Sequence, residues 1–272
     1  DRSPARGLGD VYKRQLRMSA IHQAILNLSQ VIVGKEQQIR LSVACLLADG
    51  HLLIEDLPGM GKTTLSHALA KVFGLEYRRI QFTSDLLPAD VLGVSVFEKN
   101  LETGEGAFRF HPGPVFAQVV LADEINRATA KSQSALLEAM EERQVTVEGQ
   151  TRCLPDPFFV IATQNPSSQA GTFPLPESQL DRFLMCLSLG YPDENAEREL
   201  LEGRSRRELV DELTTVVGSA ELIALREQVA AVKASASVLD YLQRLLAYSR
   251  HDGGFPYGLS LIHISEPTRR TP

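Results

Sequence analysis

No stretch of the chain approaches about 18 consecutive apolar residues, so a membrane-spanning helix is not supported. The amino-terminal part also lacks an apolar segment closed by a small-residue cleavage site, which speaks against a secretory signal. Cysteine is scarce: Cys45, Cys153 and Cys186 are the three present. They are too few and too scattered for a zinc site or a disulfide framework, and they suit a reducing, cytoplasmic compartment. Cys45 and Cys186 lie in apolar runs and read as small core residues. Basic charge is in short supply, with 28 Lys and Arg against 34 Asp and Glu. What is present is ordinary for a folded protein: 272 residues, 43% hydrophobic and 23% charged, give room for one large domain or a large and a small one.

The strongest local pattern runs from Asp56 to Thr64. Leu52, Leu53 and Ile54 read as a buried strand that breaks at Pro58-Gly59 and restarts at Lys62 with helical spacing through Leu65, Leu69, Val72 and Phe73. A glycine loop between a strand and a helix aims consecutive backbone N–H groups at one point, and the helix adds the positive end of its dipole. The whole attracts a phosphate chain. Pro58, Gly59, Met60, Gly61, Lys62, Thr63 and Thr64 are therefore the candidate binding loop. Lys62 would reach the β- and γ-phosphates, and the Thr63 hydroxyl would enter the shell of a Mg²⁺ ion. Such loops usually open on a glycine where this one has Asp56, so a second motif is needed.

Val119 to Ala122 supply it as a buried strand that delivers Asp123 and Glu124 to its carboxyl edge, where ligands of an open α/β sheet bind. Asp123 would join Thr63 on the metal, and Glu124 would orient a water for attack on the γ-phosphate. Phe158 to Gln164 read as a further buried strand tipped by Asn165, whose amide can reach the γ-phosphate or the attacking water; Pro166 stops it. Arg182, beside Asp181, precedes a strand expected over Phe183–Leu189. It is either one half of a surface ion pair or an arginine offered to a neighbouring subunit's nucleotide.

Elsewhere, helices are expected over Ile21–Leu28, Lys35–Ala48, Lys131–Glu142, Ala196–Leu201, Ala220–Val232 and Ser235–Ser249. The turn from Val31 to Gly34 makes Val33 and Gly34 candidates for the adenine side of a nucleotide, with ordinary core as the competing reading. Tyr77–Phe82 reads as a strand. Gly93–Phe97 with Ala107–Phe110, and Gln144–Glu148 with Gln150–Leu154, read as hairpins. Arg204, Arg206 and Arg207 form a basic cluster expected in a loop.

Residues 2–15 and 259–272 can be encoded by one DNA stretch read on opposite strands: Gln15 as CAG reverses to CTG for Leu259, Arg14 as AGA to TCT for Ser260, and the series runs on to Arg2 and Pro272. It is similar to the adapter repeats of sequencing libraries, so 1–15 and 259–272 are expected to be foreign tails, with Met18 the expected native start and the native end missing. Without them, 22 basic residues face 31 acidic ones. That acidity argues against general nucleic-acid binding.

In this order the motifs resemble those of AAA+ ATPases, and their wording resembles the MoxR family. The matching text comprises Glu55 to Thr63, Leu121 to Arg127, Leu136 to Arg143, Phe159 to Pro166 and Leu175 to Phe183. The family also opens its loop on Glu-Asp, which accommodates Asp56. The resemblance implies an α/β fold: a P-loop core at 16–191, with a central parallel sheet flanked by helices, and a truncated all-α lid at 192–258. It implies that Lys62 and Thr63 are Walker A, Asp123 and Glu124 Walker B, Asn165 the sensor and Arg182 the arginine finger. It further implies ATP and Mg²⁺ as cofactors, a hexameric ring, and chaperone-like work on partner proteins, often ones with von Willebrand factor A domains. Residues 83–118 are similar to the family's helix-2 insert, and Gln144–Leu154 to its pre-sensor hairpin. The lid arginine is expected to be absent, because foreign sequence follows Gly258. A nucleic-acid-stimulated motor of the same clade is the alternative.

Overall fold

The computed structural model describes residues 19–99, 106–165 and 172–251. The two expected tails, the hairpin tip at 100–105, Pro166 and the stretch from 252 to Gly258 lie outside the described residues. The chain opens with helix α1 over 19–31. It continues through α2 (Glu36–Leu47), β1 (Leu52–Glu55), α3 (Lys62–Val72), β2 (Tyr77–Gln81) and the short α4 (Pro88–Leu92). A hairpin of β3 (Gly93–Lys99) and β4 (Gly106–Pro112) precedes β5 (Val119–Asp123), α5 (Ala130–Glu142) and a second hairpin, β6 (Gln144–Val147) with β7 (Gln150–Cys153). Then come β8 (Phe159–Gln164), α6 (Glu177–Leu180), β9 (Met185–Leu187), α7 (Glu194–Glu202), α8 (Arg206–Glu212), α9 (Ser219–Ala230) and α10 (Ala236–His251).

Five strands form one sheet in the order β2-β5-β8-β1-β9, and every pairing in it is parallel. Parallel strands need crossovers that cover both faces, so such strands are apolar throughout rather than alternating. The burial pattern shows this directly. On β8, Phe159 and Ile161 join one apolar cluster while Val160 and Ala162, with Phe158 just before the strand, join the other. On β5, Val119 and Leu121 divide in the same way from Val120 and Ala122. The first cluster lies under α2 and α3; the second is completed by α5 through Leu136, Leu137 and Met140. Val210, Val217, Leu222 and Leu225, from α8, α9 and the loop between them, pack into the first cluster.

The structure corrects three details of the sequence reading. The last strand is confined to Met185–Leu187 because its sole neighbour in the sheet is the four-residue β1; Phe183 turns back to Leu180 and packs in the other cluster. Cys186 is exposed, since alternation on an edge strand turns Met185 and Leu187 inward and Cys186 outward. Arg206 and Arg207 open α8 instead of sitting in a loop, and Arg204 forms an ion pair with Glu212.

Two measurements follow from this packing. Phe159→Ala, which empties a fully buried position on the central strand, is expected to lower unfolding free energy by about 3–5 kcal/mol in a denaturant titration. Thiol labelling should discriminate the cysteines by environment. Burial pushes the Cys45 thiol up to about 12, whereas partial burial and the Glu55 carboxylate push Cys186 up to about 11. The exposed Cys153 is expected to react first, Cys186 more slowly, and Cys45 only after denaturation, as resolved by mass spectrometry over time.

Candidate nucleotide site

The loop between β1 and α3 folds as its glycines require. Gly59 and Gly61 have φ of 87° and 85°, left-handed values that disfavour residues with a side chain, and a Cβ built on either would meet nothing within 4 Å. Both therefore line an open cradle. Gly61 caps α3, no side chain caps that helix end, and its first turn carries no acidic residue. Among the described residues no side chain caps these N–H groups, so they and the helix dipole face the cradle.

β1, β8 and β5 are neighbours in parallel register, with Glu55 opposite Gln164 and Ala122 opposite Ala162, so their carboxyl ends finish side by side. That alignment brings the distant motifs together. A cavity of about 360 Å³ is lined by Pro58, Gly59, Gly61, Lys62, Thr63 and Thr64 from the loop and helix, and by Arg79, Gln81, Asp123, Glu124 and Asn165 from the strand ends. Lys62 donates to the Asp56 carbonyl at 2.7 Å and to Asn165 Oδ1 at 3.2 Å, and Asn165 Nδ2 in turn donates to Glu124 Oε1 at 2.8 Å. Burial lowers the Lys62 ammonium below its ordinary value, against the opposing pull of Asp123, Asp56 and Glu124. Glu124 holds a left-handed φ of 56°, which ends the strand abruptly; its N–H donates to Thr163 Oγ1 at 2.9 Å. A non-glycine residue in that region is strained, and such strain persists where the surroundings fix it.

Several residues of the site had not been singled out from sequence. Thr163 donates to Asp123 Oδ1 at 2.5 Å, and Arg79 forms an ion pair with Asp123 Oδ2 at 2.6 Å. Arg79 also donates to Gln81 Oε1, whose amide donates to Glu124 Oε2 at 3.0 Å. The signal was available: Tyr77, Arg79 and Gln81 alternate onto one face of a strand, which pairs with the strand carrying Asp123. Asp56 is buried and used as a clasp. Its carboxylate accepts from the N–H of Leu57 and Gly190 and from the Ser188 hydroxyl. Burial alone would raise its pKa, but these donors together hold it below the usual carboxylate value.

Other candidates stand apart from the cavity. Met60 packs against the first apolar cluster. Gly34 lines a different, open depression beside Ile32 and Glu36 and faces Ala196 and Asp193 at the start of α7, while Val33, its chain neighbour, is half-buried. Arg182 is 33% exposed and pairs with Glu141 at 2.6 Å near the end of α5.

The profile of the ATPase family associated with various cellular activities (AAA) matches residues 51–185, which contain every residue of the cavity. The chain is 48% identical over 238 residues to Uncharacterized protein YeaC of Bacillus subtilis, covering 88% of this chain and 73% of that one. It is 39% identical over 230 residues to Chaperone MoxR1 of Mycobacterium tuberculosis, covering 85% of this chain and 59% of the relative. The chain belongs to the MoxR family of AAA ATPases. A crystal structure from Cytophaga hutchinsonii, of a protein assigned as an ATPase, superposes with a TM-score of 0.79 at 38% identity, covering 90% of this chain and 73% of that one. The MoxR-type cavity suits a phosphate chain with a divalent cation, because an open glycine cradle meets a lysine on one side and two carboxylates on the other. Among the described residues, no helix is long and apolar enough to cross a membrane.

Gly61→Ala tests the cradle. Forcing a side chain into the left-handed conformation should cost about 1–2 kcal/mol of stability, and the added methyl enters the open space of the cradle. Reduced denaturation midpoint together with loss of fluorescent ADP binding is the expected result.

Proposed function

We propose that the native protein hydrolyses ATP to ADP and phosphate with Mg²⁺ in this cavity, and that it uses the cycle within a ring to remodel partner proteins. The observation that carries the reading is the convergence of Lys62, Asp123, Glu124 and Asn165, from three separate segments, on one 360 Å³ cavity beside an open glycine loop.

The geometry supports the following roles. The N–H groups from Gly59 to Thr64 hold the phosphates, and Lys62, already hydrogen-bonded to Asn165, supplies the compensating charge. Thr63 and Asp123 would hold the cation, which when bound neutralises charge developing on the phosphate oxygens. Glu124 orients the attacking water, and Asn165, bonded to its Oε1, fixes where that carboxylate points. Arg182 lies outside its own subunit's cavity lining, which fits an arginine serving a neighbour's nucleotide. Val33 and Gly34 remain the proposed adenine side. The helices from α7 to α10 act as a lid, and the partner class favoured by the resemblance is a protein with a von Willebrand factor A domain. Acidity of the chain weighs against the nucleic-acid motor.

Glu124→Gln is expected to keep nucleotide binding while turnover falls by roughly 10²–10⁴-fold, measured as phosphate release beside a binding titration. Unchanged turnover would mean that nucleotide gates the protein without being hydrolysed. Arg182→Ala should lower assembled-state turnover by ~10³ and leave single-subunit binding intact.

A further inference from the structure

Arg79 lines the cavity, and the hydrolysis scheme above gives it no role. It stands on the edge strand β2, 48% exposed, while its partner Asp123 is 11% exposed at the foot of the cavity. Two of its nitrogens converge on one oxygen, with Nη2 at 2.6 Å and Nε at 3.2 Å from Asp123 Oδ2. The other oxygen, Oδ1, takes the Thr163 hydroxyl. Both oxygens of the carboxylate are thus engaged, and one of them by a full positive charge.

Mg²⁺ holds its ligands in a rigid octahedron at about 2.0–2.1 Å, keeps several waters, and is bound through only one or two carboxylates. A cation or its water shell reaching Asp123 competes with Arg79 at Oδ2 and shares Oδ1 with the Thr163 hydroxyl. The arginine end of the pair is 48% exposed, so water can take up the guanidinium when the pair exchanges. Its long, flexible stem lets the guanidinium leave without moving β2.

We infer that Arg79 is a positioning residue that occupies the Asp123 carboxylate until magnesium displaces it, so that metal entry and rearrangement of the catalytic carboxylate are one event. The coupling runs through Gln81. Arg79 Nη2 donates to Gln81 Oε1 at 2.7 Å, and the Gln81 amide donates to Glu124 Oε2 at 3.0 Å. Departure of the guanidinium removes one anchor of Gln81 and weakens one of three holds on Glu124, whose Oε2 also pairs with Arg127 Nε at 3.0 Å and whose Oε1 accepts from Asn165. Before metal arrives, the water-orienting carboxylate is tied down and Asp123 is neutralised.

This inference rests on the magnesium role proposed for Asp123, and the experiment separates the two. Equilibrium binding of a fluorescent ADP is titrated with Mg²⁺ for the wild type, Arg79→Gln, Arg79→Lys and Asp123→Asn. Arg79→Gln is expected to reach half-maximal binding at roughly two- to fivefold lower Mg²⁺, the factor appropriate to a partly exposed ion pair, with Arg79→Lys between it and the wild type. Should Arg79→Gln fail to fold by circular dichroism, Arg79→Met, which retains the apolar stem, takes its place. A midpoint that is unchanged or raised overturns the inference. So does weaker binding in EDTA with the midpoint unmoved, which would make Arg79 a plain phosphate ligand. If Mg²⁺ acts equally on the wild type and Asp123→Asn, the metal role of Asp123 falls and the inference with it. If Asp123→Asn loses the Mg²⁺ dependence and Arg79→Gln behaves as wild type, only the Arg79 inference falls.

Discussion

The parallel pairing of β8 with β1 on one side and β5 on the other is the constraint on which everything else rests. It sets the register that ends three strands at one edge, and that edge is where the glycine loop, the two carboxylates and the asparagine meet. A slip by one residue would turn Phe159 and Ile161 toward the wrong face and move Thr163 away from Asp123. Stability and chemistry therefore depend on the same ladder. The two apolar clusters, one on each face of the sheet, hold the register by alternation and so hold the site.

The polar contacts at the edge form a chain. Lys62 reaches Asn165, Asn165 reaches Glu124, Gln81 reaches Glu124 from the other side, and Arg79 joins Gln81 to Asp123. Such a network in a partly desolvated cleft is cooperative, and its members lose their orientation together. The strained backbone of Glu124 belongs to it. That residue's N–H is fixed by Thr163, which also holds Asp123, so one threonine ties the Glu124 backbone to the Asp123 carboxylate.

Much of this was legible in the chain because each motif carries its own local physics. The glycine loop, the apolar run ending in Asp123-Glu124 and the strand ending in Asn165 each announce a strand that stops at a polar edge, and both hairpins were visible as alternation around turn formers. What escaped was lateral. Arg79 and Gln81 sit on a strand that reads as ordinary, and their importance comes from lying beside β5, a neighbour set by topology and not by adjacency in sequence. The exposure of Cys186 escaped for the same reason: an apolar run does not say that its strand is the edge of the sheet. Arg206 and Arg207 were misplaced because a charge cluster looks alike in a loop and at the start of a helix.

Asp56 shows how a departure from a motif can be resolved by its surroundings. A glycine at this position would leave the Gly190 N–H and the Ser188 hydroxyl without their carboxylate partner. The aspartate takes both, donates its own N–H to the Gln164 carbonyl, and offers its carbonyl to Lys62. One residue thereby fastens the start of the phosphate loop to the end of β8 and to the chain leaving β9, from which α7 begins. Movement of Lys62 toward a phosphate must loosen a bond to the backbone of this residue, whose side chain grips the segment leading into the helices beyond. The loop is thus mechanically continuous with the chain that follows the sheet, and under the proposed nucleotide role a change at the phosphates would have a covalent and hydrogen-bonded route to that chain.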